Sequence, residues 1–209
     1  MTLFPFFANI TGAHALIAGG GRHALEKIRK LKPYGPKLSV ISENFLPEIE
    51  ADRELCLIRR PFSEEDLLKL PSFVIAAEED TEENHRIASL CRERRIPVNT
   101  VDDKEYCDFI FPALIARGNL SVGICTNGAS PAAGVLLRKQ IEAQIPVHIE
   151  EIFDFLQEKR PEVTRAIPDK KQRFYFFHQL SEICMQKDRP LTEREFAQLL
   201  STGSLSEEN

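Results

Sequence analysis

The stretch HALIAGGGRHA, residues 14–24, decides the fold. His14 to Ala18 is a short apolar run of the kind that forms a strand buried on both faces of a parallel sheet. It ends in Gly19-Gly20-Gly21, and Arg22 to Lys32 then places Ala24, Leu25, Ile28 and Leu31 on one helical face. Gly19 to Ala24 therefore fits G-x-G-x-x-A between a strand and a helix. The first glycine permits the tight turn, Gly21 lets backbone approach a pyrophosphate, and small Ala24 lets the helix pack close to the sheet. Glycine triplets occur in many turns. The strand–turn–helix context is what predicts a dinucleotide cradle at Gly19, Gly20 and Gly21.

Outward from this unit the alternation continues. Pro33 to Pro36 breaks the helix, and Leu38 to Ile41 reads as a second strand. Leu55 to Ile58 is a third, followed by a short helix to Leu70 with Ser63 as N-cap and Asp66 at its third position. Phe73 to Ala77 and Val98 to Val101 are further strands, separated by a helix through Arg94 that Thr81 caps and that Glu82 and Glu83 suit to the dipole. This spacing predicts an α/β fold with a Rossmann-type parallel sheet wound by right-handed crossovers. After Asp108 the pattern changes. Phe109–Arg117 and Leu120–Thr126 predict a hairpin turning at Gly118-Asn119. Ser130-Pro131 opens a helix to about Gln144. From His148 on the chain reads as helical: a segment around Ile152 to Leu156, one from Lys170 to Met185, and one opened by a Thr192/Glu195 capping box. Prolines 146, 161, 168 and 190 punctuate these segments. The expected division is a dinucleotide-binding domain (1–108), a hairpin–helix dimerisation segment (109–147), a small helical domain (148–200) and a polar tail (201–209).

Composition narrows the classes. The 209 residues have room for one ordinary domain and a smaller appendage. A formal charge of -5 gives no global positive field, so no nucleic-acid partner is expected. No apolar run approaches the length of a bilayer span, and the first nine residues lack the basic start of a signal peptide, so no membrane partner is expected. The five cysteines form no C-x-x-C pair and suit free thiols in the cytoplasm. Cys107 and Cys125 read as small buried hydrophobes. Histidines 14, 23, 85, 148 and 178 have no metal-ligand spacing, so no resident metal is expected.

Rossmann domains read the adenosine ribose at the end of the second strand, here Ser42-Glu43-Asn44. A carboxylate accepts hydrogen bonds from a free 2'-hydroxyl and repels a 2'-phosphate, and no Arg or Lys follows until Arg53. That favours NAD over NADP; the other reading is that Glu43 is a solvated loop acid. Asp102 directly follows the fifth strand, at the sheet edge where ligands bind, and is either a catalytic group or the cap of the next turn, with Asp103 as its alternate.

The stretch from Phe4 to Pro146 resembles the N-terminal module of siroheme synthase and the stand-alone precorrin-2 dehydrogenases. The pieces that carry the resemblance are Leu3 to Phe7, Leu16 to Gly21, Val74 to Ala77 before an acidic pair and Asn84, and Val98-Asn99-Thr100-Val101-Asp102. Asp108 to Ala113 and Gly128 to Pro131, followed by Leu137-Arg138, complete the series. The resemblance implies a homodimer that oxidises precorrin-2 to sirohydrochlorin with NAD, some relatives also inserting ferrous iron. It implies cofactor contacts at Arg22, His23, Glu43 and Asn44, and an acid/base carboxylate at Asp102. Two positions depart from the family pattern. Glu78 stands where a hydroxyl residue usually follows the Ala-Ala pair, and Cys125-Thr126-Asn127-Gly128 replaces Ser/Thr-Gly-Gly. Thr126 keeps a hydroxyl there.

A hydride must leave such a substrate for the nicotinamide and a proton for a base. The substrate's many carboxylates call for fixed positive charge. Arg117 and Arg138 are the candidates, with Lys139, Lys170, Lys171 and Arg173 behind them; each is otherwise a surface charge. Thr126 supplies a polar contact, and Phe174 to Phe177 is either helix packing or a floor for a flat macrocycle. Two other readings remain: an NAD-sensing regulatory module without turnover, and a dehydrogenase of another substrate.

Overall fold

Successive residues of strand β1 (His14–Ala18) serve opposite cores: Ala15 and Ile17 pack into one, Leu16 and Ala18 into the other. This period of two on a strand covered on both faces is what the unbroken apolar run foretold. The computed structural model describes residues 3–101 and 103–202. Those residues fall into two compact units, one ending at Phe111 and the next beginning at Pro112.

In the first unit β1 pairs in parallel with β2 (Lys37–Ser42) on one side and β4 (Phe73–Ala76) on the other. β3 (Cys56–Arg59) and β5 (Val98–Thr100) complete a five-stranded sheet of order β3-β2-β1-β4-β5. The chain first moves outward through β2 and β3, then crosses back to β4. The β1/β4 boundary is therefore the topological switch point at which such sheets open a crevice. Helix α1 (Arg22–Leu31) buries Ala24, Ile28 and Leu31 on one face of the sheet; helix α3 (Thr81–Glu93) buries Ile87, Ala88 and Cys91 on the other. The short helix α2 (Pro47–Glu50) inserts Ile49 into the α1-side core. A 3-10 segment, Glu64–Lys69, follows Ser63, whose N–H donates to Asp66 Oδ2 at 2.9 Å.

The start of α3 and the run from Phe109 differ from expectation. The N-cap of α3 is Asp80, whose Oδ1 accepts from the Glu82 N–H at 3.0 Å, and Thr81 is the first helical residue. A short carboxylate both caps and complements the helix dipole. The apolar run from Phe109 is not strand until Ala113. Phe109 instead packs edge-on against Phe73 at 5.7 Å and beside Phe111 at 5.9 Å, and its carbonyl accepts from Asn99 Nδ2 at 2.9 Å. Its hydrophobicity serves the first core.

The second unit opens with the hairpin β6 (Ala113–Arg117) and β7 (Leu120–Ile124), which turns at Gly118-Asn119 as its sequence predicts. Helix α4 (Pro131–Glu142) packs on the hairpin and has the expected start: Ser130 Oγ accepts from the Ala133 N–H at 3.1 Å, with Pro131 in the first turn. Helices α5 (Ile149–Ala166), α6 (Lys170–Lys187) and α7 (Glu193–Thr202) share a cluster built on Ile152, Phe155, Val163, Phe176, Leu180, Phe196 and Leu199. Pro161 does not punctuate; it lies inside α5. A mid-helix proline costs about 3 kcal/mol. Burial of Phe155 before it and Val163 after it, each contributing about 1.5–3 kcal/mol, carries the helix through. Cys125 is exposed rather than buried, and its Sγ accepts from the Asn127 N–H at 3.2 Å.

The Thr192/Glu195 box forms as predicted: Thr192 N–H donates to Glu195 Oε2 at 2.8 Å and Glu195 N–H to Thr192 Oγ1 at 3.2 Å. Arg189 adds two bonds of 2.8 Å to the same carboxylate, and it holds Glu195 well below the usual carboxylate range. A lowered folded pKa contributes stability above the ordinary value of 4.5 and loses it as pH falls below that. Glu195→Gln is expected to cost about 1–3 kcal/mol at neutral pH. In thermal melts the gap from the parent narrows steadily below pH 4.5.

Candidate functional site

Three turns at the carboxyl edge of the parallel sheet enclose a cleft of about 870 Å³. The first follows β1. Gly19 has φ +119°, a conformation that side chains rarely adopt, and a Cβ there would collide with the Ala77 carbonyl. Gly20 is pressed against the second turn: a Cβ would run into the Asn44 carbonyl, and the Gly20 carbonyl accepts from the Leu46 N–H at 2.9 Å. Gly21 is different. A Cβ there would meet only a carboxylate oxygen of Glu79, at 3.7 Å, so its open side faces the cleft. Two glycines let the turns approach one another, and the third leaves room for a ligand.

Helix α1 starts at this point with Gly21 as N-cap, no side-chain cap and no acid in its first turn. Its first N–H groups and the positive end of its dipole are left for an anion. Arg22 and His23 stand exposed in that turn. Beyond β2, Glu43 and Asn44 are exposed and line the same cleft as Gly20 and Gly21, so these four predicted cofactor residues converge from two turns, whereas Gly19, Arg22 and His23 are not among its lining residues. The open side of Gly21 and the uncapped helix start fit a dinucleotide pyrophosphate.

The third turn, after β4, is acidic: Glu78, Glu79 and Asp80 line the cleft, with Glu83 and Arg86 behind them on α3. Buried Asn84 holds this turn by both ends of its amide. Its Oδ1 accepts from the Glu78 N–H and its Nδ2 donates to the Glu78 carbonyl, both at 2.9 Å. Half-burial, followed by repulsion from Glu83, Glu43 and Glu79, pushes the Glu78 carboxyl pKa up. The sequence reading gave Asn84 no role. Its signals were an amide seven residues beyond Ala77, in the first turn of the following helix, and its place among the residues that carry the resemblance.

Asp102 lies outside the described residues. Its neighbour Asp103 is the N-cap of the 3-10 turn Lys104–Tyr106: Oδ1 accepts from the Glu105 N–H at 3.0 Å, and Oδ2 lies 2.8 Å from His85 Nε2. The Glu105 N–H above all, and then His85, hold the Asp103 carboxyl below its ordinary range. The His85 ring stacks on Tyr106 at 3.9 Å. Cys107 is buried behind this turn, and its Sγ accepts from the Thr100 N–H at 3.2 Å.

The substrate candidates lie in the second unit, engaged locally. Arg117 donates to the carbonyls of Pro146 (3.2 Å) and Val147 and pairs with Glu150 at 3.5 Å, fastening the hairpin to the start of α5. Arg138 pairs with Glu142 at 2.5 Å along α4. Thr126 Oγ1 donates to the Ser130 carbonyl and accepts from its N–H, at 3.1 and 3.3 Å. The Ala129 N–H closes a turn on the Thr126 carbonyl, with Asn127 (φ +51°) and Gly128 (φ +80°) at its centre. Asn tolerates that left-handed conformation best among non-glycine residues, so Asn127 can stand where a glycine is usual. Phe176 is buried in the helical cluster, while Phe174 and Tyr175 are exposed.

Residues 6–113, more than half of the chain, match an NAD(P)-binding family. The chain belongs to this NAD(P)-binding family. The match spans the five-stranded sheet and every residue of the cleft. Residues 117–144, from the hairpin turn through β7 and α4, match a second family described as sirohaem biosynthesis protein central. Among curated relatives, the siroheme synthase of Thioalkalivibrio sulfidiphilus is 35% identical over 87% of this chain and 38% of its own length. That of Methylococcus capsulatus is 35% identical over 87% and 39%. The chain thus spans about two fifths of the length of the curated relatives it matches. The solved structure of the precorrin-2 dehydrogenase SirC superposes with a TM-score of 0.72 over 95% of this chain and 99% of that one, at 23% identity. This NAD(P)-binding chain therefore shares its fold with that protein through both units.

Proposed function

We propose that this chain oxidises precorrin-2 to sirohydrochlorin with NAD, a step of siroheme biosynthesis. The observation that carries the reading is the joining, in one chain, of a dinucleotide cleft of the NAD(P)-binding family to a segment matching a sirohaem biosynthesis family. Bound NAD supplies the hydride acceptor. The residues of the cleft orient it: the start of α1 with Arg22 and His23 holds the pyrophosphate, and Glu43 and Asn44 hold the adenosine ribose. Asp102 accepts the substrate proton. The occupation of Asp103 as a helix cap supports this assignment, because the capping role is already filled by its neighbour. Arg117, Arg138 and Thr126 remain the proposed contacts for the carboxylate-rich substrate, the two arginines exchanging part of their local pairing for it.

The test is an anaerobic mixture of the protein, NAD and enzymatically made precorrin-2, followed by sirohydrochlorin absorbance and NADH formation. Both are expected to rise together. NAD binding without turnover would instead identify a sensing module or a dehydrogenase of another substrate. In a second arm with sirohydrochlorin and ferrous iron, insertion is expected to stay near the spontaneous rate. Glu43 predicts a cofactor preference in the same assay: kcat/KM with NADP about tenfold or more below that with NAD. Equal use of both dinucleotides sinks the Glu43 assignment.

The same reading includes a homodimer in the cytoplasm. Helix α4 exposes Val135, Leu136, Leu137 and Ile141, and the two-stranded hairpin beside it has no third strand among the described residues. Such a sheet is marginal alone, and an apolar helix face next to open strand edges calls for a partner. Light scattering at micromolar concentration is expected to give twice the chain mass, and Leu136→Glu to give the monomer. A monomeric parent protein excludes this arrangement.

A further inference from the structure

The cleft is unequal in charge along its length. Its Glu43 end presents one carboxylate beside the uncapped start of α1, whereas its β4 end presents Glu78, Glu79, Asp80 and Glu83. Among the described residues Arg86 is the only cation lining the cleft, and it is committed to Glu83 by two hydrogen bonds of 2.7 Å. Among these acids Glu78 is distinctive. It is half-buried where Glu79 and Asp80 are exposed, and its backbone is fixed on both sides by the Asn84 amide. A held, partly desolvated carboxylate projects a field that solvent and salt screen least.

In this topology the adenosine half of a dinucleotide lies toward β2 and the pyrophosphate crosses at the start of α1. The nicotinamide half then falls toward β4. The oxidised nicotinamide ring carries one positive charge and the reduced ring none; the rest of the molecule is the same in both forms. A carboxylate at the β4 end therefore attracts one redox form and is indifferent to the ring of the other. We propose that Glu78, held by Asn84, is a specificity-determining residue that makes the cleft bind the oxidised dinucleotide more tightly than the reduced one. Reduced cofactor is then released readily and competes weakly with the oxidised form, while the overall equilibrium of the reaction is unchanged.

This inference rests on the dinucleotide reading of the cleft, and binding measurements without any tetrapyrrole separate the two. The full chain is titrated calorimetrically with NAD and, separately, with NADH, in low and in moderate salt. The parent protein is expected to bind NAD about tenfold more tightly than NADH, a single-charge effect at short range in a partly desolvated site. Glu78→Gln and Glu78→Thr are expected to bring the two affinities to within about twofold or threefold, mainly by weakening NAD. Glu43→Gln, at the adenosine end, is expected to weaken both forms alike and leave the ratio unchanged. The threonine variant is a second, smaller neutral replacement and guards against a folding defect, which thermal melts monitor. Equal affinities in the parent, or an unchanged ratio in both Glu78 variants, overturn the proposal while the dinucleotide site stands. Failure of both dinucleotides to bind overturns the site itself and the proposal with it.

Discussion

Asp102→Ala is expected to bind NAD as the parent does and to lose about a hundredfold or more of precorrin-2 oxidation. In the sequence Asp102 lies between β5, which ends at Thr100, and a turn whose capping bonds are made by Asp103. Removing Asp102 leaves the Asp103 capping bonds in place, and the fold is expected to survive. Asp103→Ala should behave in the opposite sense. It frees the Glu105 N–H and the His85 ring, lowers the melting temperature, and affects turnover only through the loosened turn. The informative measurement is the pair of variants compared for NAD affinity, melting temperature and turnover. Near-normal turnover in Asp102→Ala, with a collapse in a well-folded Asp103→Ala, would transfer the base to Asp103.

Adjacent glycines are expected to respond oppositely to the same methyl group. In Gly20→Ala the new Cβ collides with the Asn44 carbonyl, which is backbone and cannot rotate away. Either the turn after β2 or the start of α1 must shift. A core backbone clash of this kind costs on the order of 3 kcal/mol, a fall of roughly 10 °C in melting temperature for a unit of this size. In Gly21→Ala the new Cβ has room in the free protein, meeting only the mobile end of Glu79. Its melting temperature is expected to stay within a degree or two of the parent, since open surface changes cost about 0.5 kcal/mol or less. NAD affinity should nonetheless fall about tenfold or more, because the methyl group occupies the space a pyrophosphate needs. Equal melting temperatures for the two variants, or undiminished NAD binding by Gly21→Ala, contradict this division of roles.

The Rossmann unit was legible in the sequence because its signals are local. An apolar run covered on both faces, a glycine loop and an amphipathic helix follow one another within the chain, and each constrains the backbone through its own residues. The same is true of the Ser130-Pro131 helix start, the Thr192/Glu195 box and the Gly118-Asn119 hairpin. Only tertiary structure decided matters that depend on a neighbour distant in sequence. Gly20 is required by the Asn44 carbonyl, the run from Phe109 is held by Phe73 rather than by a strand partner, and Pro161 is carried inside a helix by burial on both its sides. The exposure of Cys125 and the capping of α3 by Asp80 were set in the same way, by surroundings that neither residue type encodes. The acidic end of the cleft belongs with these. The carboxylates of residues 78 to 83 are plain in the sequence, but their effect on a ligand depends on the Asn84 clamp and on the β1/β4 switch point, which bring them opposite the glycine loop.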